Sequence, residues 1–297
     1  WFREELVRLH AVNTLFDERK IVGNFSAMDG LFLTVPVARG GGPVTPLPKG
    51  EPLALPPEAA AWIAATDVTG LVVLDRGKVV VERAYLGTGL EDRRISWSLA
   101  KSFLTALFGL SVERGEVALD APVTDYAPAL TGSAYDGVTV RDVLTMQSGV
   151  QFDEDYLDPR SDINRMGRVI ALGGTMDGFA AALTARDGPA GEAWQYVSID
   201  THVLAMVLRG ATGRSLPELM SERLIAPLGL EAAPFFLTDG EGVAFALGGL
   251  NLALRDYARF GLMVAQEGRI GGRQIVPEAW IEASTAPQAA TRPGAIR

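Results

Sequence analysis

Residues 95–113 read Ile95-Ser96-Trp97-Ser98-Leu99-Ala100-Lys101-Ser102-Phe103-Leu104-Thr105-Ala106-Leu107-Phe108-Gly109-Leu110-Ser111-Val112-Glu113. Leu99, Phe103, Leu104, Ala106, Leu107, Leu110 and Val112 make the segment apolar nearly all round, which predicts a central, buried helix from about Ser98 to Glu113. Gly115 suits its C-terminal stop. Ser98 and Lys101 stand three apart, so they share one helix face, one turn over the other. A serine hydroxyl is a weak nucleophile and needs an adjacent base. A lysine amine serves once burial disfavours its ammonium form, whereas arginine does not deprotonate in proteins. The chain carries four lysines (Lys20, Lys49, Lys78, Lys101) against twenty-three arginines, and places one lysine in its most apolar helix. A buried charge without a task is expensive. The helix N-terminus also offers free N–H groups and a positive dipole end to a developing oxyanion. The plainer alternative makes Ser98 an N-cap and lets Lys101 reach the surface.

Around this helix, Thr69 to Leu86 reads as a hairpin: Leu71 to Leu74 form a β-rich run, Asp75-Arg76-Gly77 is turn chemistry, and Val79 to Val81 begin the return. An isolated hairpin is marginal in water, so it needs more strands or a helix beside it. Residues 1 to about 35 mix amphipathic helix and coil, and the Pro- and Gly-rich residues 36–57 read as a linker or surface wrap. From about 119 to 235 the pattern is mostly helical. Thr139 starts one helix, Ser198 caps another through about Leu208, and Ser215-Leu216-Pro217-Glu218 is a capping box whose helix ends at Pro227. The acidic loop 149–165 reads as a solvated rim. A glycine-rich segment follows 236, then a helix near Arg255 to Ala265, a turn and short strand over Gly268 to Val276, and a short helix from Pro277 into polar coil.

Composition narrows the function classes. The chain has 297 residues, 48% hydrophobic and 21% charged, as expected of a globular protein with a sizeable core. A net charge of -9 without a basic run argues against gripping nucleic acid or an anionic membrane surface. The absence of cysteine excludes disulfides, thiolate metal sites and cysteine nucleophiles, and two histidines, His10 and His202, cannot build a multi-His metal centre. His202 reads as a buried structural histidine rather than a base. Trp62, Trp97, Trp194 and Trp280 are read mostly as core or cleft walls. No run of about 18 apolar residues exists to span a bilayer. The chain starts at Trp1 rather than Met, which leaves a preceding signal or anchor open, and periplasm and cytoplasm both open with it. There is no Gly-x-Ser-x-Gly elbow, Gly40-Gly41-Gly42 lacks the P-loop lysine, and the acidic loop does not fit an EF-hand.

Tyr196-Val197-Ser198 is the second informative element. A phenol can relay a proton between a serine, a lysine and a leaving group. A core tyrosine beside a capping serine is the plainer reading of that motif alone. Ser-x-x-Lys opening a buried helix, followed about a hundred residues later by Tyr-x-Ser, resembles the serine β-lactamases and penicillin-binding proteins. The Tyr form is similar to the class C branch, and within it to the 6-aminohexanoate-dimer hydrolase-like subgroup. Leu144-Thr145-Met146-Gln147-Ser148-Gly149-Val150, Gly248-Gly249-Leu250-Asn251 and Asp256-Tyr257-Ala258-Arg259-Phe260-Gly261 point the same way, and the resemblance covers about 65 to 290.

The resemblance implies an α/β fold of the α+β type: an antiparallel sheet flanked by helices, with a mostly helical subdomain. It implies an N-terminal extension and wrap over 1–65, an α/β subdomain over 66–118 and 236–297, and a helical subdomain over 119–235. Ser98 would be the acylated nucleophile, Lys101 its base, and Tyr196 the carrier of the leaving-group proton. Tyr156 and Ser198 would contact substrate, and Asn251 would border the site. No metal or organic cofactor is implied. The substrate would be a small amide or ester, with the oligomeric state left open. The family's third motif, on a late strand, has no match before Arg297; strands beyond the sequence, rather than an inactive protein, are the expected explanation. An esterase, β-lactamase or D-amino-acid peptidase would use the same residues, and a non-catalytic penicillin-binding-type sensor is the competitor from another class.

Overall fold

The computed structural model of the chain describes residues 2–290. Helices α1 (Phe2–Asn13), α2 (Ile21–Asn24) and α3 (Met28–Leu31) lead into strand β1 (Thr34–Pro36). Helix α4 (Pro57–Ala65) precedes the hairpin β2 (Gly70–Asp75) and β3 (Lys78–Ala84), then β4 (Arg94–Ile95) and the long helix α5 (Leu99–Glu113). A helical stretch follows: α6 (Val140–Leu144), α7 (Asp162–Ala171), α8 (Met176–Ala181), α9 (Ser198–Thr212), α10 (Leu216–Met220) and α11 (Ala226–Leu228). The remainder holds β5 (Phe235–Leu237), β6 (Leu250–Leu252), α12 (Leu254–Ala265), β7 (Arg269–Ile270), β8 (Arg273–Gln274) and α13 (Glu278–Thr285). The polar coil expected after α13 runs into residues 291–297, which lie outside the described residues.

The apolar run predicted at 98–113 is the buried helix α5. Phe103, Leu107 and Phe108 are fully buried, and Phe103 stacks on Phe260 of α12 with ring centroids 3.8 Å apart. Gly109 is small because the Trp280 ring lies against it: a Cβ there would stand 2.4 Å from the ring. Helix α9 is buried along most of its length and approaches the chain at Tyr126 so closely that a Cβ on Gly210 would meet its carbonyl oxygen at 1.7 Å.

A four-stranded antiparallel sheet backs these helices in the order β1-β5-β6-β4, with Thr34 opposite Leu237 and Ile95 opposite Asn251. The sequence pattern gives helix and coil around β1 and only a glycine-rich segment around β5 and β6, with no strand named at any of the three. Strands of two or three residues carry too little alternation to show a period, and their partners are distant in sequence. The expected hairpin forms, but as a separate two-stranded sheet. Its cover is α12: Val79 and Ala258 share a small apolar cluster with Leu47 of the proline-rich wrap. The wrap itself is tied down by Thr45 N–H donating to Gly229 O at 2.9 Å and by Arg259 Nε donating to Thr45 O at 2.9 Å.

Caps follow the sequence where they are local. Thr139 caps α6, and Ser215 with Glu218 forms the reciprocal box of α10. Two expectations fail. The helical run does not end at Pro227: it continues through a π-helical turn at Ser221–Ile225 and α11, and stops at Gly229 with φ 65°. Pro227 lies within this continuous run, in α11 directly after the π-helical turn. Nor does Ser198 cap α9. Val197 holds the cap position, and Ser198 is the first helical residue, its hydroxyl engaged elsewhere.

Candidate active site

Trp97 has φ 44°, an uncommon conformation for a bulky residue, and this turn delivers Ser98 to the start of α5. The Ser98 hydroxyl makes no capping hydrogen bond. Instead Ser98 Oγ accepts from Lys101 Nζ at 2.9 Å and from Tyr196 OH at 2.8 Å. Lys101 Nζ also donates to Leu247 O at 2.9 Å and lies 5.2 Å from the centre of the Tyr196 ring. Burial pulls the Lys101 amine below its ordinary value of 10.5, while Tyr196 and the charge of Glu154 pull partly the other way. Among the described residues no carboxylate forms an ion pair with Lys101, so nothing fixes it permanently as an ammonium.

Much of the acidic loop is exposed, as its composition predicts, with Leu157 93% exposed. Asp153, Asp155 and Asp158 each accept from a backbone N–H two residues on, as turn-forming side chains. Glu154 alone of this group turns inward. Its Oε1 accepts from Ser198 N–H at 2.5 Å, and its Oε2 accepts from Ser198 Oγ and Tyr156 OH, both at 3.2 Å. Burial raises the Glu154 carboxyl, against the bonds from Ser198 and the charge of Lys101. Tyr156 is raised by burial and by Glu154. The sequence reading names Tyr156 and Ser198 but not Glu154, the residue that joins them. Glu154 is one of several acids in one loop, and nothing local distinguishes it.

The Beta-lactamase family model matches residues 63–295. The chain belongs to the beta-lactamase family. The 6-aminohexanoate-dimer hydrolase of Paenarthrobacter ureafaciens is 32% identical over 267 residues, 87% of this chain and 68% of that protein. Esterase EstB of Burkholderia gladioli is 28% identical over 201 residues, 58% of this chain and 48% of the esterase. In fold, a solved Bacillus anthracis protein carrying the 6-aminohexanoate-dimer hydrolase name superposes with a TM-score of 0.80 at 23% identity, over 91% of this chain and 75% of that one. The protein is thus a serine hydrolase of the beta-lactamase type.

The remaining sequence candidates sit at varied distances from the site of this beta-lactamase family member. Asn251 is fully buried in β6, where its amide donates to Gly249 O at 2.9 Å; it lies in the sheet behind the cleft rather than in the hydroxyl cluster. His202 is fully buried, with Nε2 2.7 Å from Asp177 Oδ1, a carboxylate also held by Arg209. Trp97 lines a cavity beside Ser98, and Trp194 and Trp280 line a second cleft. Trp62, on α4, is 58% exposed and belongs to neither core nor cleft. Among the described residues no group of three His, Asp or Glu side chains could hold a metal ion, and no helix is long and apolar enough to cross a membrane.

Proposed function

We propose that the protein hydrolyses a small amide or ester through a covalent acyl-Ser98 intermediate, with Lys101 and Tyr196 moving the protons. One observation carries this reading: a serine hydroxyl at a helix start forgoes capping and is held at hydrogen-bond distance by both an amine and a phenol. Neutral Lys101 takes the hydroxyl proton as Ser98 Oγ bonds to the carbonyl carbon. The N-terminus of α5 stabilises the resulting oxyanion. Collapse breaks the bond to the leaving nitrogen or oxygen, which takes a proton from Tyr196 OH, and Lys101 reprotonates the phenolate. In the second half a water gives its proton to the same pair and attacks the ester carbonyl, releasing the acid and restoring Ser98. Glu154 fixes Tyr156 and Ser198 at the cleft mouth, where they meet substrate. The cleft lies between an α/β subdomain (66–118 and 236–297) and a helical subdomain (119–235), with 1–65 as an extension.

The relatives' names support amide and ester chemistry alike, so the discriminating test is a panel. Hydrolysis of nitrophenyl esters, 6-aminohexanoate dimer and nitrocefin is compared, alongside labelling by a fluorophosphonate. Labelling of the wild type that is lost in Ser98→Ala is expected. A protein that labels equally well without Ser98, or turns over none of the panel, refutes the proposal and favours a non-catalytic role.

A further inference from the structure

Beside Ser98 opens a cavity of 460 Å³ whose lining has an uneven origin. Seven of its twenty lining residues come from residues 12–32, ahead of the stretch that matches the family. Phe16 stacks on Trp97 at 5.4 Å, and Phe25 meets the same indole edge-on at 5.4 Å, so the N-terminal segment leans its rings on the residue next to Ser98. Phe245, Leu247 and Met166 complete the apolar wall. Among the described residues no charged side chain lines the cavity. Apart from Ser98 and the Trp97 indole, whose buried Nε1 has no hydrogen-bond partner among the described residues, its polar side chains are already engaged. Tyr156 and Ser198 are bound to Glu154, and the Asn164 amide donates to the carbonyls of Asp155, Tyr156 and Asp158.

The position of the cavity says which half of the substrate it takes. Its lining includes Ser98 and Gly248 but neither Lys101 nor Tyr196. The leaving group must depart toward Tyr196, the proton donor proposed above, so the cavity is on the acyl side. We propose that this cavity is the acyl subsite, and that residues 12–32 make it selective for uncharged aliphatic or aryl acyl groups. The inference rests on Ser98 acting as the nucleophile. An acyl chain ending in an ammonium would lose its hydration without gaining a free counter-charge, because both oxygens of Glu154 are occupied.

The test holds the leaving group constant and varies the acyl group: p-nitrophenyl acetate, butyrate, hexanoate and 6-aminohexanoate, with a fluorophosphonate titrating active Ser98. In the wild type kcat/KM is expected to rise about threefold per added methylene. Hexanoate is expected to exceed 6-aminohexanoate by about tenfold or more. Phe16 is 59% exposed, so Phe16→Asp adds a carboxylate at the rim without opening the core. It should lower the hexanoate-to-acetate ratio and raise the relative rate of the amino ester, and Phe16→Ala should do only the first. A flat acyl series from protein whose Ser98 titrates fully overturns the subsite while leaving the nucleophile intact. Faster turnover of the amino ester by the wild type also overturns it and makes Glu154 the counter-charge. A protein that neither titrates nor turns over any ester refutes the acyl-serine reading and this inference together.

Discussion

Asp200 lies on α9, two residues beyond Ser198, with no exposed surface. Its Oδ1 accepts from the equally buried Tyr135 OH at 2.7 Å. Burial pushes the carboxyl from 3.8 up to about 7; Tyr135 and Ser148 oppose this, and the charge of Glu154 adds to it. Folding therefore holds a proton that the unfolded chain releases. Below pH 3.8 both states are protonated and there is no cost. Between 3.8 and about 7 the unfolded state ionises first, so stability falls as pH rises, levelling off above that window. At about 1.4 kcal/mol per pKa unit, the interval amounts to about 4 kcal/mol. Asp200→Asn keeps the oxygen that accepts from Tyr135 and cannot ionise. Its buried amide N–H groups cost about 1–3 kcal/mol if unpaired, at every pH. The variant is thus expected to be less stable than wild type near pH 4 and more stable near pH 8, with the difference changing by about 4 kcal/mol between them. Urea unfolding followed by tryptophan fluorescence across that range measures it. A difference that stays flat within about 1 kcal/mol refutes the argument that Asp200 is buried as a neutral acid.

Lys101→Met should lower kcat/KM by about a thousandfold or more. Because Lys101 must be neutral to act and burial lowers its pKa, the wild type should show an ascending pH limb below 10.5, and a pH–rate profile of the variant should lack it. Glu154→Gln should lower kcat/KM by about tenfold. Since the charge of Glu154 raises Lys101, removing it should move that limb to lower pH; an upward move in the measured profile contradicts the coupling. Gly210→Ala should destabilise the protein by about 2 kcal/mol or more, read as a lower urea midpoint, because its Cβ would meet the Tyr126 carbonyl at 1.7 Å.

What the sequence determined by itself is what depends on residues within a few turns of one another. The apolar run around Phe103 and Leu107 sets a buried helix, and the Ser98–Lys101 spacing stacks their side chains on one face. The caps at Thr139 and Ser215–Glu218 follow from hydroxyls and a carboxylate reaching the nearest free N–H groups. Only tertiary structure decided the rest. Tyr196 reaches Ser98 across 98 positions of chain, and Glu154 is singled out from its acidic neighbours because α9 presents Ser198 N–H to it. Strands as short as Arg94–Ile95 and Leu250–Leu252 exist only because each finds a distant partner. The acyl-side wall is built by Phe16 and Phe25, and nothing near them in the sequence says that Trp97 is their neighbour. Local periodicity is written along the chain, whereas the choice among chemically similar side chains is made by which of them the packed core turns inward.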